Sequence, residues 1–351
     1  MSDRTKIEWA DATWNVVLGC DRVSSGCQSC YAIGNARIRE SNPNPKIAAP
    51  YAGLVERRGD RLDWTGRVNL VPDRLQLPLR WQKPRKIFVT AQSDVWHAAV
   101  SDDFLAQVFA VMAVAQRHVF QVLTKRPARM RSLLSNPDFV DQVRRHAATL
   151  DADWDGDSVG WPLPNVWLGV SAEDARWARV RIPVLLETKA AVRFVSAEPL
   201  LGPITLCRCD RGGGQVQHHP DLVNPVCPLH GPVRLDWVIA GGESGRNARP
   251  MHPNWARHLR DQCQSTGVAY LFKQFGEWAP SAGGPGDHLV MPDTGDSFPW
   301  SPDADVASGS GDAACMRRVG KRAAGRLLDG RTWDQYPTAA ATLAAHGSQA
   351  R

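Results

Sequence analysis

Short apolar runs alternate with amphipathic stretches of helical length along most of the chain, and this rhythm limits the folds open to it. Strands that are apolar throughout are typical of parallel sheets that helices cover. The seven runs are residues 13–19, 86–94, 119–127, 165–174, 191–200, 235–245 and 269–278. This series predicts an α/β fold, a partial (β/α) barrel of six to seven parallel strands related to the TIM barrel, over residues 1–280.

An open, doubly wound sheet would show the same alternation of strands and helices. Two features favour the barrel: no Gly-rich dinucleotide-binding turn follows the first run, and polar residues stand at the ends of successive runs. Barrel enzymes hold their functional groups at the carboxyl ends of the strands. We therefore expect the functional residues of this chain at those ends.

Several segments between the runs have helical periodicity and boundary signals: residues 102–116, 128–150, 175–188 and 253–267. Asp102 or Asp103 stands near the N-cap of the first, and Pro137 breaks the second. Pro253 suits the first turn of the last segment, and Gly267 suits its C-cap.

Other stretches interrupt the rhythm. Residues 41–84 have no regular pattern, and residues 202–233 form an insertion with its own cysteines. Residues 281–312 are rich in Gly, Pro, Asp and Ser, which predicts a flexible loop. A basic C-terminal tail is expected over residues 313–351.

The N-terminus has no apolar run of signal-peptide length, and no stretch approaches the roughly 18 apolar residues of a membrane span. These features predict a cytoplasmic protein without a membrane partner. Thiols stay reduced in the cytoplasm, so clustered cysteines there are metal ligands more often than disulfides.

Three cysteines, Cys20, Cys27 and Cys30, follow the first predicted strand in the pattern C-x6-C-x2-C. Thiolates bind iron–sulfur clusters or zinc, and a [4Fe–4S] cluster is usually held by four of them. Three cysteines would leave one iron open to a substrate or cofactor. A zinc site completed by a distant His or Cys is the alternative.

A second group of soft ligands lies in the insertion over residues 202–233: Cys207, Cys209, Cys227 and His230. Two close pairs of this kind suit tetrahedral zinc in a closed structural site. The insertion is too polar to bury much core, so a metal would supply its stability. A second iron–sulfur cluster and a metal-free loop are the alternatives.

The motifs "GCDRVSSGCQSCYA", "VLTKRP", "NVWLGVSAED", "RFVSAEPLLGPI" and "DWVIAGGESG" resemble those of a phage-associated three-cysteine-motif family. That family is similar to the radical S-adenosylmethionine (SAM) superfamily. The resemblance implies a [4Fe–4S] cluster on Cys20, Cys27 and Cys30, with SAM on the open iron and hydrogen abstraction from a substrate. The superfamily more often has C-x3-C-x2-C, with an aromatic residue before the third cysteine; here Ser29 precedes Cys30 and Tyr31 follows it.

The resemblance also implies residues that hold SAM. Ser93, Lys125 and Ser171 close successive predicted strands, as in the spore photoproduct lyase branch, and Tyr31 is a further candidate to pack on the adenine. A lysine ammonium would pair with the SAM carboxylate, and hydroxyls would bind its polar groups. The alternative is that the serines cap helices and Lys125 is a solvated charge.

Glu198, Glu243 and Lys273 are the remaining charged groups at predicted strand ends, and we expect them to act on the substrate as catalytic residues. An ion-pair network that stabilises the fold is the alternative. Asp94 and His97 are further candidates, although a lone His is more often a packed or capping residue.

The formal net charge of +6 and the isoelectric point of about 9.0 permit a nucleic-acid partner. Arginines and lysines that could contact phosphates are Arg126, Arg129, Arg131, Arg144, Arg145, Arg317, Arg318, Lys321, Arg322 and Arg326. The predicted function is a radical SAM enzyme that modifies or repairs a nucleic acid or nucleotide, with flavodoxin or ferredoxin as electron donor. The alternatives are a zinc-stabilised nucleic-acid-binding protein and a radical enzyme that modifies a small molecule or peptide.

Overall fold

The computed structural model describes residues 5–206, 233–302 and 313–338. Its strands are β1 (Ala12–Trp14), β2 (Val17–Leu18), β3 (Val55–Arg58), β4 (Arg61–Trp64), β5 (Asn69–Leu70), β6 (Lys86–Val89), β7 (Val119–Thr124), β8 (Val166–Ser171), β9 (Val192–Ala197), β10 (Trp237–Gly241), β11 (Ala269–Gln274), β12 (Trp278–Pro280), β13 (Asp287–Val290), β14 (Ser297–Pro299) and β15 (Ala314–Arg318). Its helices are α1 (Tyr31–Glu40), α2 (Pro45–Ala48), α3 (Asp102–Val114), α4 (Pro127–Leu134), α5 (Pro137–Leu150), α6 (Gly156–Val159), α7 (Ala175–Leu186), α8 (Pro253–Thr266) and α9 (Lys321–Ala324).

A seven-stranded sheet runs in the order β1-β6-β7-β8-β9-β10-β11. Strand pairs β1–β6, β6–β7, β7–β8, β9–β10 and β10–β11 are parallel. The order follows the chain without the reversal that marks a doubly wound sheet. The predicted α/β fold is confirmed, and the sheet is consistent with the predicted partial barrel.

The described residues divide into two compact units. The N-terminal unit comprises residues 5–170, 187–193 and 338, and the C-terminal unit comprises residues 171–186, 194–206, 233–302 and 313–337.

Every residue of β7 except Leu123 is buried, and so is all of β8. This burial is why the strands appear in the sequence as continuous apolar runs.

The predicted helices are confirmed, and Asp102 and Asp103 lie next to the N-cap of α3 as expected. The N-cap residue itself is Ser101, whose Oγ accepts the Phe104 N–H at 3.2 Å. The two aspartates lie in the first turn, where their charges complement the helix dipole. Pro137 begins α5, as its position predicted.

A small antiparallel substructure follows the first strand in the N-terminal unit. β3 and β4 form a hairpin, and β5 pairs with β2. Together with α1 they enclose an apolar cluster: Leu18, Ala32, Ile33, Ala36, Tyr51, Leu54, Val55, Trp64 and Val71. Residues 41–84 therefore contribute five side chains to a small apolar core that they share with β2 and α1. The irregular sequence of this stretch did not reveal that core.

The C-terminal unit holds a four-stranded antiparallel sheet in the order β12-β15-β13-β14. We predicted a loop over residues 281–312, but its described part contains β13 and β14, and β15 lies within the predicted tail. These strands have three to five residues each, too few to show a period among the surrounding Gly, Pro and Asp. The candidate zinc ligands Cys207, Cys209, Cys227 and His230 lie outside the described residues.

Candidate functional site

The turn after β2 brings the first cysteine to the end of the strand. Gly19 has φ +88°, and a Cβ at this position would lie 2.2 Å from the Arg67 carbonyl oxygen, so only glycine fits. The backbone of Gly19 bridges to Ser93, and the Ser93 hydroxyl donates to the Val17 carbonyl at 2.8 Å. Ser93 therefore fixes the strand that leads into Cys20. A contact between Ser93 and SAM remains a prediction.

Cys27 and Cys30 are held by local structure and by one long-range clamp. Cys27 ends a 3-10 turn, and Cys30 is the N-cap residue of α1. Arg22 donates to the carbonyls of Cys27 at 2.9 Å and Gln28 at 2.7 Å, and to the Asp63 carboxylate at 2.6 Å. Because Asp63 lies on β4, this clamp joins the cysteine loop to the β3–β4 hairpin.

Asp63 is buried and charged. Burial raises the pKa of its carboxyl, but the hydrogen bonds from Arg22 and the Trp64 N–H and the charges of Arg22 and Arg61 outweigh burial. The net result is a pKa below the ordinary aspartate value. The carboxylate is therefore ionised when it holds Arg22.

The three thiols are free and form one electrostatic group. Cys30 interacts with both Cys20 and Cys27, and the side chains of Cys20 and Cys30 pack against the apolar cluster behind α1. Burial, followed by the charge of Asp94, raises the pKa of Cys20 to about 12, and burial raises the pKa of Cys30. Without a metal these two thiols are protonated at neutral pH.

Asp94 organises the end of β7. Its carboxylate accepts hydrogen bonds from the Thr124 hydroxyl at 2.8 Å, the Lys125 N–H at 3.0 Å and Arg126 Nη1 at 3.1 Å. The same Nη1 lies 3.6 Å from Cys20 Sγ. Arg126, which the sequence grouped with phosphate contacts, is thus held between a carboxylate and a candidate metal ligand.

Lys125 lies half-buried at the end of β7. Its charge acts on Cys30, where it lowers the thiol pKa against the larger effect of burial. Among the described residues its ammonium has no hydrogen-bond or ion-pair partner. Lys125 therefore keeps its binding capacity next to the thiols.

Two other candidates contact the same region of the N-terminal unit. Tyr31 is 55% exposed, and its hydroxyl donates to the Ala91 carbonyl. His97 is buried, with its Nδ1 accepting the Ala99 N–H at 3.1 Å. Its proton therefore lies on Nε2, which donates to Asp21 at 2.7 Å and so orders the residue after Cys20.

The predicted substrate groups of the C-terminal unit form closed pairs. Lys273 Nζ lies 2.8 Å from Glu198 Oε1, and the Ser196 hydroxyl donates to Glu198 Oε2 at 3.1 Å. Glu243 instead accepts three bonds from Arg249, one from its backbone N–H and two from its guanidinium. The structure brings Glu198 and Lys273 together and pairs Glu243 elsewhere. Their action on a substrate stays a prediction.

Close packing of two loops explains the glycines Gly242, before Glu243, and Gly276, after Phe275. A Cβ on Gly242 would lie 1.9 Å from the Phe275 carbonyl oxygen, and one on Gly276 would lie 2.1 Å from the Glu243 carbonyl oxygen. The two loops approach so closely that neither position accepts a side chain.

Ser171, the third predicted SAM ligand, is 4% exposed at the end of β8. Its carbonyl accepts Arg181 Nη1 at 2.8 Å, and the same nitrogen lies 2.8 Å from Glu173 Oε2. Both side chains of this ion pair are almost fully buried, at 1% and 0% exposure. The surroundings of Ser171 are therefore those of a packed core.

Several predicted phosphate contacts form ion pairs within the described residues. These pairs are Arg129–Asp102, Arg131–Glu187, Arg144–Asp141, Arg317–Asp287 and Arg326–Asp334. Pairs in which both side chains are exposed, such as Arg131–Glu187 and Arg144–Asp141, are weak and can exchange partners, whereas the Asp287 carboxylate that holds Arg317 is buried. A role in binding nucleic acid stays a prediction.

Three residues that order the cysteine loop were not predicted from the sequence: Arg22, Asp63 and Asp21. Arg22 and Asp21 lie inside the quoted cysteine motif, so proximity to Cys20 was an available signal. Asp63 lies 41 residues from its partner Arg22, and no local pattern marks it.

None of the described helices combines the length and the hydropathy that a membrane span requires. Neither the curated proteins nor the solved structures include a significant match to this sequence. One family model matches residues 4–337, and the chain therefore belongs to the family described as "Protein of unknown function (DUF5131)".

Proposed function

We propose that this protein is a radical SAM enzyme whose Cys20, Cys27 and Cys30 hold a [4Fe–4S] cluster. The observation that carries the proposal is the Lys125 ammonium, which has no partner in the described residues and lies within electrostatic range of Cys30. A cation left open beside three free thiols suits the carboxylate of a cofactor docked on the cluster.

The donor set fits such a cluster. Thiolates are the usual ligands of iron–sulfur clusters, and each binds a different iron. Among the described residues, no group of three or more His, Cys, Asp or Glu side chains that could hold a metal ion is found. The cluster ligands are therefore proposed from the C-x6-C-x2-C spacing of the three cysteines.

The residues around the thiols have separable tasks in this proposal. The bound cluster and SAM would supply the one-electron chemistry that removes hydrogen from a substrate. Lys125 binds the SAM carboxylate, and exposed Tyr31 packs against the adenine. The apolar cluster behind α1 keeps water from Cys20 and Cys30. Both thiols must lose their protons to bind iron, so cluster assembly releases protons.

The proposed substrate is a nucleic acid or nucleotide, and flavodoxin or ferredoxin is the proposed electron donor. The net charge of +6 supports a polyanionic partner. If the target is a base within DNA or RNA, that base must be flipped out of the stacked bases to reach the reactive centre of the enzyme.

The decisive experiment is anaerobic reconstitution with iron and sulfide, then incubation with SAM and dithionite. We expect a brown protein that forms 5′-deoxyadenosine, detected by chromatography. The Cys30→Ala variant should lose both colour and product. The matched control is Cys263→Ala, since Cys263 is buried in α8 and should be dispensable for the cluster.

A colourless protein that retains only zinc would overturn the proposal. That result would favour the zinc-stabilised nucleic-acid-binding protein instead. A Cys207→Ala variant that loses one equivalent of zinc while keeping the iron would assign zinc to the group in residues 202–233.

A further inference from the structure

Three contacts fix the position of the Arg126 guanidinium next to Cys20. Its Nη1 lies 3.6 Å from Cys20 Sγ and 3.1 Å from Asp94 Oδ2, and its Nη2 lies 3.5 Å from the Asp21 carbonyl oxygen. The Arg126 side chain is only 17% exposed and that of Asp94 only 7%. A guanidinium held in this way is not available to follow a phosphate backbone.

The backbone around Arg126 is held as firmly as its side chain. The Thr124 hydroxyl donates to Asp94 and accepts the Arg126 N–H at 2.8 Å. Pro127 then begins α4, which limits the conformations of the residue before it. The guanidinium therefore has a fixed position relative to Cys20.

A positive charge next to a cluster ligand acts on the electron affinity of the cluster. One-electron reduction makes the cluster and its thiolates more negative. A charge-assisted N–H···S bond stabilises the reduced form more than the oxidised form, and such bonds are among the factors that set cluster potentials. Asp94 holds the guanidinium at the sulfur, as partners of metal ligands commonly do.

We infer that Arg126, anchored by Asp94, raises the reduction potential of the proposed cluster through its bond to Cys20. This inference rests on the proposed function. It gives Arg126 a task distinct from that of Lys125, which keeps its ammonium open for the cofactor. In the test the added electron comes from dithionite.

The experiment is a potentiometric titration of the reconstituted full-length protein, followed by the electron paramagnetic resonance signal of the reduced cluster. The variants are Arg126→Gln and Arg126→Lys. The matched control is Arg145→Gln, because Arg145 is exposed on α5 in the same unit and its substitution removes the same charge. Iron content and thermal melting are measured for every variant.

We expect Arg126→Gln to shift the reduction potential to a more negative value, Arg126→Lys to shift it less, and Arg145→Gln to leave it unchanged. If Arg126→Gln does not retain the cluster, Arg126→Lys decides the matter: a potential below the wild-type value supports the inference, and one at or above it overturns it. A cluster whose potential is unchanged in both variants refutes the role of Arg126 and leaves the proposed function standing. A wild-type protein that assembles no cluster refutes the proposed function itself.

Discussion

The charged residues at strand ends differ between the two units. In the N-terminal unit, the charge of Lys125 acts on the Cys30 thiol, and its ammonium has no hydrogen-bond or ion-pair partner among the described residues. In the C-terminal unit, Glu198 is paired with Lys273 and Glu243 with Arg249. Charged groups at strand ends are therefore of two kinds in this structure, paired and unpaired, and the predictions below compare the two kinds.

The largest effect should come from breaking the most buried closed pair, Glu173–Arg181. Glu173→Gln leaves the Arg181 charge without its counter-charge in a site that water cannot reach, so we expect a loss of about 3–5 kcal/mol of unfolding free energy. Urea unfolding measures it. The control is Asp141→Asn, which breaks a surface pair with Arg144 and should cost less than about 1 kcal/mol. Equal losses in the two variants would show that burial does not distinguish these pairs.

The next prediction compares SAM binding and stability after substitution of two lysines at strand ends, Lys125 and Lys273. Lys125→Gln should weaken SAM binding roughly 10- to 150-fold, since a hydrogen bond to a charged group contributes about 1.5–3 kcal/mol. It should leave stability within about 0.5 kcal/mol, because no described partner is lost. Isothermal titration of the anaerobic protein gives the affinity, and urea unfolding gives the stability.

Lys273→Gln is the matched control for Lys125→Gln. It breaks the ion pair with Glu198, whose side chain is 13% exposed, so its main effect should be on stability. If Lys273→Gln weakens SAM binding as strongly as Lys125→Gln, the contrast between the open and the closed lysine fails.

A smaller effect is expected at the clamp of the cysteine loop. Asp63→Asn removes the charge that holds Arg22, which should cost about 1–3 kcal/mol of unfolding free energy. It should also speed the loss of iron to a chelator, because Arg22 no longer fixes the carbonyls of Cys27 and Gln28. The control Asp60→Asn makes the same change at the exposed tip of the hairpin. Identical iron loss in the two variants would show that the clamp does not order the ligands.

The strands of the seven-stranded sheet were predictable because each lies in an apolar run that becomes buried. Helix boundaries at Pro137, Pro253 and Gly267 were predictable because those residues have few other backbone options. Local rules of this kind need only a few neighbouring residues.

The partners of the charged residues were not predictable. Arg126 meets Cys20 across 106 residues, and Arg22 meets Asp63 across 41. Such contacts depend on the tertiary fold and leave no periodic trace in the sequence. For the same reason, the sequence does not show that Arg126 pairs with Asp94.

The smallest effect on stability is expected at Asp329, which is partly exposed and forms ion pairs with two arginines. This prediction tests whether the charge of such a carboxylate stabilises the folded state. Asp329 accepts hydrogen bonds from Arg257 and Arg260. Burial raises the pKa of Asp329, but the hydrogen bonds and charges of the two arginines outweigh it and lower the pKa below the ordinary value. A lowered carboxyl pKa stabilises the fold above the unfolded pKa of about 3.9, and this stabilisation disappears as the pH falls through the folded pKa.

Asp329→Asn should therefore lower the melting temperature at pH 7, at a cost below about 1 kcal/mol because solvent screens the pair. Asn also tolerates the positive φ of 54° at this position, so backbone strain does not contribute. The melting temperatures of variant and wild type should begin to converge as the pH falls below about 3.9, the unfolded pKa, and should coincide once the pH is below the lowered pKa of the folded carboxylate. If the melting temperatures still differ in acid, the Asp329 side chain stabilises the fold through packing and not through its charge. The stability contributed by the other ion pairs of the C-terminal unit could then not be attributed to charge by analogy.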